Sequence, residues 1–120
     1  MTHDIDIGFK EEPKDLEDFL NKEGYTMDNE QTEEDCIFYY NKKDDWPHLF
    51  YFPHTIEEEE VSDWENSGFK VVSELNVNYH LRDPSCIEAE RLTKEIARKF
   101  DVVVCLPASD EYIPGEEYLD

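Results

Sequence analysis

The feature that most constrains the fold is an eleven-residue stretch, from Phe69 to Tyr79, in which apolar and polar side chains alternate. Its odd-numbered positions are apolar except Ser73, and its even-numbered positions are polar except Val72. Successive side chains of a strand point to opposite faces of the sheet, so this period of two predicts a long strand. One face of that strand is expected to be buried, and the other to be solvated or bound to something.

A helix and a second strand are predicted directly after this stretch. Asp83 and Pro84 suit the N-cap and the first turn of a helix. Residues 101–106, with the sequence DVVVCL, suit a central strand that is buried on both faces. A strand, a helix and a strand in this order predict a right-handed crossover that joins two parallel strands. The apolar stripe of the helix consists of Ala89, Leu92, Ile96 and Phe100.

The first half of the chain contains three more predicted strands and one helix. Residues 3–9 alternate like a half-buried strand. Residues 13–24 have the apolar spacing of a short amphipathic helix that ends at a glycine. Residues 36–40 and 48–52 are rich in aromatic side chains and predict an antiparallel hairpin. Residues 55–66 are compatible with either a short helix or an irregular acidic segment.

These elements predict an α+β fold in a single domain, because 120 residues are enough for one hydrophobic core. The expected architecture is a two-layer sandwich over residues 1–107. Its mixed, mostly antiparallel sheet carries two helices on one face. The order β-α-β-β-β-α-β corresponds to a variant of the ferredoxin-like arrangement. Residues 108–120 are predicted to form an acidic C-terminal tail.

The charge of the chain restricts its partners. Thirty-two Asp and Glu residues against eleven Lys and Arg residues give a formal net charge of -21. Such a surface repels nucleic acids and anionic membranes, so neither is predicted as a direct partner. Aromatic residues make up 13% of the chain, which argues against a disordered acidic segment. The charge therefore favours a folded protein with a basic protein as its partner.

The predicted partner-binding residues combine an acidic run with aromatic side chains near the hairpin. Carboxylates beside exposed Tyr and Trp side chains suit an interface with another protein. Because a strand alternates, half of the hairpin aromatics should face away from the core. We expect these to be Tyr39 and Tyr51, or the aromatic residues that alternate with them. The complete predicted set is Glu57, Glu58, Glu59, Glu60, Trp46, Tyr39, Tyr51 and Trp64.

Catalytic and metal-binding motifs are weak by comparison. Asp4 and Asp6 place two carboxylates on one strand face, but no companion motif accompanies them. His48, His54 and His80 do not have the spacing of a known metal site. The sequence also contains no glycine-rich phosphate loop. We therefore predict no catalytic residue, metal ligand or cofactor.

The three cysteines, Cys36, Cys86 and Cys105, form no CxxC pair. Widely spaced cysteines in odd number predict free thiols in a reducing cytoplasm. Residues 1–9 lack the basic and apolar parts of a signal peptide, and no apolar run reaches 18 residues. The sequence thus predicts a cytoplasmic protein with no membrane-spanning segment.

Three functional hypotheses are compatible with these patterns. The first is an acidic, non-enzymatic binding module, such as an inhibitor or an immunity-type protein, that engages a basic, nucleic-acid-binding protein. The alternative is a small regulatory or ligand-binding domain that dimerises through its sheet. The second alternative is an enzyme that uses carboxylates and a divalent cation. The chain is expected to be a monomer or a homodimer.

Overall fold

The computed structural model describes residues 2–53, 64, 68–82, 84–107 and 111–119. These residues contain seven strands and three helices, joined by loops and turns. The Cα radius of gyration is 13.4 Å, close to the value of about 13–14 Å for a compact domain of this length. The chain is therefore a single compact α+β domain. The strands are β1 (Thr2–Phe9), β2 (Tyr25–Met27), β3 (Ile37–Asn41), β4 (Asp45–Phe52), β5 (Ser73–His80), β6 (Val102–Cys105) and β7 (Tyr112–Pro114). The helices are α1 (Leu16–Lys22), α2 (Ser85–Lys99) and α3 (Gly115–Tyr118).

The strands form one sheet in the order β2-β3-β4-β5-β1-β6-β7, and each neighbouring pair is antiparallel. Strand β1 lies between β5 and β6 and is antiparallel to both. Strands β5 and β6 are therefore parallel to each other and joined by α2, as predicted, but they are not adjacent. The prediction of a mixed sheet is wrong, because β1 separates the two parallel strands and every neighbouring pair in the described sheet is antiparallel. The ferredoxin-like arrangement is not confirmed, because the strand order differs from it.

The hydrophobic core lies between one face of the sheet and the helices. Helix α1 contributes Leu16 and Leu20, which its helical spacing places on one side. Gly24 follows α1 with a φ of 99°, a left-handed conformation that strains residues other than glycine. This agrees with the prediction that a glycine ends this helix. Both predicted helices thus lie on one face of the sheet, and α3 packs against the same core. The buried residues that the sheet and α2 add are Ile5, Ile7, Phe9, Tyr25, Tyr39, Leu49, Tyr51, Leu75, Val77, Tyr79, Ala89, Leu92, Ile96, Ala97, Val102 and Val104.

Strand β5 begins at Ser73, four residues later than the alternating pattern indicates. The backbone N–H of Val72 donates a hydrogen bond to the carbonyl of Phe9, and the chain changes direction there. As a result, Val71 and Phe69 pack in a second cluster with Trp64 and not with the helices. The prediction that they share the buried face of Leu75, Val77 and Tyr79 is wrong.

The C-terminal segment also differs from the prediction of an acidic tail after residue 107. Strand β7 pairs with β6, and Gly115 at the start of α3 is buried against Val102 and Ala97. A Cβ atom on Gly115 would lie 3.1 Å from a methyl group of Val102. The described part of this segment, residues 111–119, is therefore packed against the domain.

Two further predictions can be compared with the structure. Strand β6 is buried on both faces as predicted, because Val102 and Val104 face the helices while Val103 packs with Trp64. Helix α2 begins at Ser85 with Pro84 in the N-cap position. The predicted N-cap, Asp83, lies outside the described residues.

No helix in the described part of the chain is long and apolar enough to cross a membrane.

Candidate functional site

The sheet has a second face, opposite the helices, which we call the open face. It is formed by the strand residues that alternate with the core residues. Registers across six strands place Phe38, Phe50, Asn76, Asp6, Cys105 and Tyr112 side by side in one row. The remaining polar and aromatic members of the open face are Asp4, Tyr40, Trp46, His48, Phe52, Glu74, Asn78 and His80.

Asp6 lies at the centre of the open face and is half-buried. The side-chain amide of Asn76, directly opposite on β5, donates a hydrogen bond of 2.8 Å to Asp6 Oδ1. Burial raises the pKa of the Asp6 carboxyl, and this effect outweighs the hydrogen bond from Asn76, which lowers it. The neighbouring charge of Asp4 raises the pKa of Asp6 further. The fold therefore holds a carboxylate where ionisation is disfavoured.

The next row of the open face contains Asp4, Asn78 and His48, and His80 lies in the row after it. The side-chain amide of Asn78 donates a hydrogen bond of 2.5 Å to Asp4 Oδ1. The contact between Asn76 and Asp6 is thus repeated by the next Asn and Asp on the same face. The rings of Trp46 and His48 stack with centroids 3.7 Å apart, and the His80 ring lies 4.1 Å from that of Trp46. These histidines therefore pack on an aromatic ring. His54, the third histidine considered in the sequence, lies outside the described residues.

A groove of about 400 Å³ lies on the open face over Asp6. Trp64 forms part of its wall and packs against Tyr112 with ring centroids 5.0 Å apart. Gly8 makes this wall possible, because a Cβ atom there would lie 2.7 Å from Val71 Cγ2 and 3.3 Å from the Trp64 ring. The groove is lined by Asp6, Phe50, Phe52, Trp64, Glu74, Asn76, Cys105 and Tyr112.

The charges of the open face are all negative in the described residues. Asp4, Asp6 and Glu74 occupy its strand positions, and no Lys or Arg of the described strands does so. Four of the eleven basic residues lie along α2, and three of these four, Arg91, Lys94 and Arg98, form ion pairs with acidic side chains. Arg91 forms hydrogen bonds to both carboxylate oxygens of Glu88 at 2.6 and 2.8 Å. The basic side chains of α2 are thus largely neutralised by acidic neighbours. The open face, on the other side of the sheet, is electronegative at its described strand positions.

The structure separates the predicted partner-binding residues. Trp46 lies on the open face and is half-buried. Tyr39 and Tyr51 are buried in the core at 3% and 8% exposure, so the expectation that these two are exposed is wrong. Burial raises the pKa of Tyr39 to about 12, which reflects the same environment. The alternating residues, Tyr40 and Phe50, face away from the helices instead.

Trp64 is 3% exposed and is one of the residues that line the groove. The acidic run, Glu57, Glu58, Glu59 and Glu60, lies outside the described residues, as does most of the ambiguous segment 55–66. In the sequence this run lies between Phe52 and Trp64, both of which line the groove.

Trp64 is the one groove residue that belongs to the predicted set, and the polar groove residues Asp6, Glu74 and Asn76 are among those that the set does not include. Two signals for them exist in the sequence: the pair of acids in β1 and the polar face of β5. Their convergence depends on the pairing of β1 with β5, which joins residues 70 positions apart.

Potential metal ligands do not converge in the described residues, where no group of three or more His, Cys, Asp or Glu could hold a metal ion. Cys36, Cys86 and Cys105 are free of disulfides and half-buried. Burial raises the pKa of the Cys36 thiol, an effect that opposes reactivity. The open face combines carboxylates with aromatic side chains. Comparisons of the chain with protein-family models, with curated proteins and with solved structures found no significant match.

Proposed function

We propose that this protein is a non-enzymatic binding module whose open face engages a basic protein. The observation that carries the proposal is a sheet face with three carboxylates, a row of aromatic side chains and no Lys or Arg at its described strand positions. Complementary charge accelerates association and disfavours wrong partners. Aromatic side chains supply much of the binding energy of protein interfaces. An inhibitor or immunity-type role, in the reducing cytoplasm, is the form of this function that we favour.

The acidic run of residues 57–60 lies between Phe52 and Trp64 in the sequence, and both of these residues line the groove on the open face. Its four carboxylates add to the net negative charge that attracts a basic partner at long range.

A second copy of the chain fits the open face less well than a basic protein. Face-to-face pairing of two copies would bring Asp4, Asp6 and Glu74 close to the same residues of the partner. Each copy also carries a net charge of -21, so association adds long-range repulsion to the local contacts. We therefore favour a basic partner over the alternative of a sheet-to-sheet homodimer.

Mapping by NMR tests the proposal with a defined probe. The ¹⁵N-labelled chain is titrated with an arginine-free, lysine-rich nonapeptide, and with an acidic peptide of equal length as the negative control. We expect chemical-shift changes concentrated on the open-face residues of β1, β4 and β5. Shifts spread evenly over α2, α3 and the sheet would contradict a defined binding face.

Charge-neutralised variants provide a matched comparison for the same titration. Replacing Asp4 and Glu74 with Asn and Gln removes two charges from the open face. Replacing Glu116 and Glu117 with Gln removes two charges from the exposed side of α3. We expect the first pair to weaken peptide binding at least fivefold more than the second. Equal effects would mean that only net charge matters.

A further inference from the structure

The groove over Asp6 combines two kinds of wall. Four aromatic side chains, Phe50, Phe52, Trp64 and Tyr112, line it together with the carboxylates of Asp6 and Glu74. Its volume of about 400 Å³ falls within the usual range for ligand pockets, about 300–1,000 Å³. Aromatic rings and carboxylates are both groups that attract cations.

The arrangement of the strands produces this combination. Phe50, Asn76 and Asp6 lie directly opposite one another on β4, β5 and β1. Glu74 lies one pair further along β5, opposite Gly8. Since Gly8 has no side chain, Trp64 approaches the sheet closely beside Glu74. Aromatic and acidic groups therefore border the same space from different strands.

Among natural cationic side chains, arginine matches the groove best. Its guanidinium is planar, so it stacks on aromatic rings and pairs with carboxylates through parallel hydrogen bonds. Asn76 already engages Asp6 Oδ1 and orients the carboxylate. A guanidinium entering the groove would therefore pair with Oδ2. Lysine, a compact and strongly hydrated charge, gains less from the aromatic walls.

We propose that the groove receives one arginine side chain of the basic partner, an inference that rests on the proposed function of the open face. The arginine acts as the anchor of the interface, and the surrounding carboxylates of the open face supply longer-range attraction. Interfaces commonly concentrate their binding energy in one buried aromatic or arginine anchor of this kind.

The state of Asp6 supports the proposal. Burial raises the pKa of this carboxyl, and the chain itself provides an amide and not a cation as its partner. A carboxylate that is partly desolvated interacts more strongly with an incoming charge than one in water. An arginine would thus compensate for a charge that the free protein holds unfavourably.

A small probe tests the groove without a protein partner. The ¹⁵N-labelled full chain is titrated with N-acetyl-arginine methylamide, with the lysine analogue and with the neutral citrulline analogue. The chain has two tryptophans and therefore two indole N–H signals. The signal that disappears in the Trp46→Phe variant belongs to Trp46, and the other belongs to Trp64. We expect saturable movement of the Trp64 signal with the arginine probe, and a much smaller response of Trp46, which lies outside the groove.

Two single substitutions decide whether Asp6 carries the interaction. Asp6→Asn preserves the shape of the side chain and removes its charge within the groove. Asp4→Asn removes the same charge from the same face of β1, outside the groove. We expect at least a tenfold loss of affinity for the arginine probe in the first variant and less than a twofold loss in the second.

The outcomes separate the groove from the wider face. Equal binding of the arginine and citrulline probes, equal losses in the two variants, or no saturable change at Trp64 would each overturn the arginine anchor. The lysine-rich peptide contains no arginine, so its mapping on the open face tests the proposed function independently. Binding of that peptide with failure of the arginine probe would leave a binding face that lacks this anchor.

Discussion

Asp6 is the residue at which stability and the proposed binding function oppose each other. Its carboxyl is half-buried, and burial raises its pKa above the ordinary value of 3.8. Its surroundings are the acids Asp4 and Glu74 and the amide of Asn76, with no basic side chain among the residues lining the groove. Groups held unfavourably in the free protein are typical of functional sites.

We expect Asp6→Asn to be more stable than the wild type at pH 7. A folded-state pKa above the unfolded one means that the folded state binds more protons, so wild-type stability falls as the pH rises through the folded pKa. The advantage of the variant should therefore be largest above that pKa and should disappear as the pH approaches 4. Urea unfolding of both proteins between pH 4 and pH 8 measures the difference.

Asp4→Asn is the control for this effect, because Asp4 is exposed and lies on the same strand face. Removing its charge also relieves repulsion, so the gain specific to Asp6 is the difference between the two variants. An Asp6→Asn protein that is less stable than Asp4→Asn at pH 7 would contradict the unfavourable burial of Asp6.

At the scale of elements, the contact of Trp64 and Val71 with β1 shapes the groove. Gly8 is buried beneath Val71 and Trp64, and those two side chains pack with Val103 of β6. This second cluster covers one end of the open face and leaves the Asp6 end accessible. The size of residue 8 thus determines how close the wall of the groove lies to the sheet.

We expect Gly8→Ala to destabilise the fold by about 1–3 kcal/mol, the usual effect of overpacking. The added methyl group would lie 2.7 Å from Val71 Cγ2, so Val71 and Trp64 must move away from the sheet. Thermal unfolding measures the loss, and the Trp64 indole signal reports the displacement.

Val71→Ala provides the matched second substitution. It removes the methyl groups nearest to the new Cβ atom, so the double variant should lose less stability than the sum of the two single losses. Strict additivity, or a Gly8→Ala variant as stable as the wild type, would show that Val71 does not limit residue 8.

At the scale of the whole molecule, charge determines how stability depends on solution conditions. Acidic residues outnumber basic ones by 32 to 11. Several basic side chains are already paired, among them Lys94 with Glu90 and Lys10 with Asp101. The remaining negative charge repels itself most strongly in the compact folded state.

We expect the melting temperature to rise when NaCl increases from about 10 mM to about 300 mM, because the screening length falls from roughly 30 Å to below 10 Å. Each kcal/mol of relieved repulsion should raise the melting temperature by about 4 °C in a domain of this size. Differential scanning calorimetry provides the measurement. The same series at pH 4.5, where carboxylates are partly protonated, should show a smaller rise. A flat or falling dependence at pH 7 would indicate that the acids are individually compensated.

Local patterns in the sequence were sufficient to predict most of the elements. The period of two in residues 73–80 and the helical stripe of residues 89–96 each lie within one continuous segment, and the structure contains both. Such patterns depend on which side chains neighbour each other along the chain. The antiparallel hairpin of β3 and β4 was predicted for the same reason.

The hairpin also shows where local patterns fail. Both faces of β3 and β4 carry aromatic side chains, so alternation alone does not indicate which face meets the helices. Tyr39 and Tyr51 face the core, while Tyr40 and Phe50 face away. The prediction of an acidic tail was wrong for residues 111–119 for a related reason. Their acidic residues suggest a solvated tail, but Gly115 and Tyr118 pack on the domain.

The sequence by itself thus determined an acidic α+β domain, most of its strands and helices, and its large negative charge. Only the tertiary structure decided that β1 lies between β5 and β6, which brings Asp6 beside Asn76 in the groove that Trp64 also lines. The physical reason is the range of the interactions. Periodicity and charge act between close neighbours in the chain or over its total composition, whereas the groove is made by side chains that are up to about a hundred residues apart and meet only when the sheet forms.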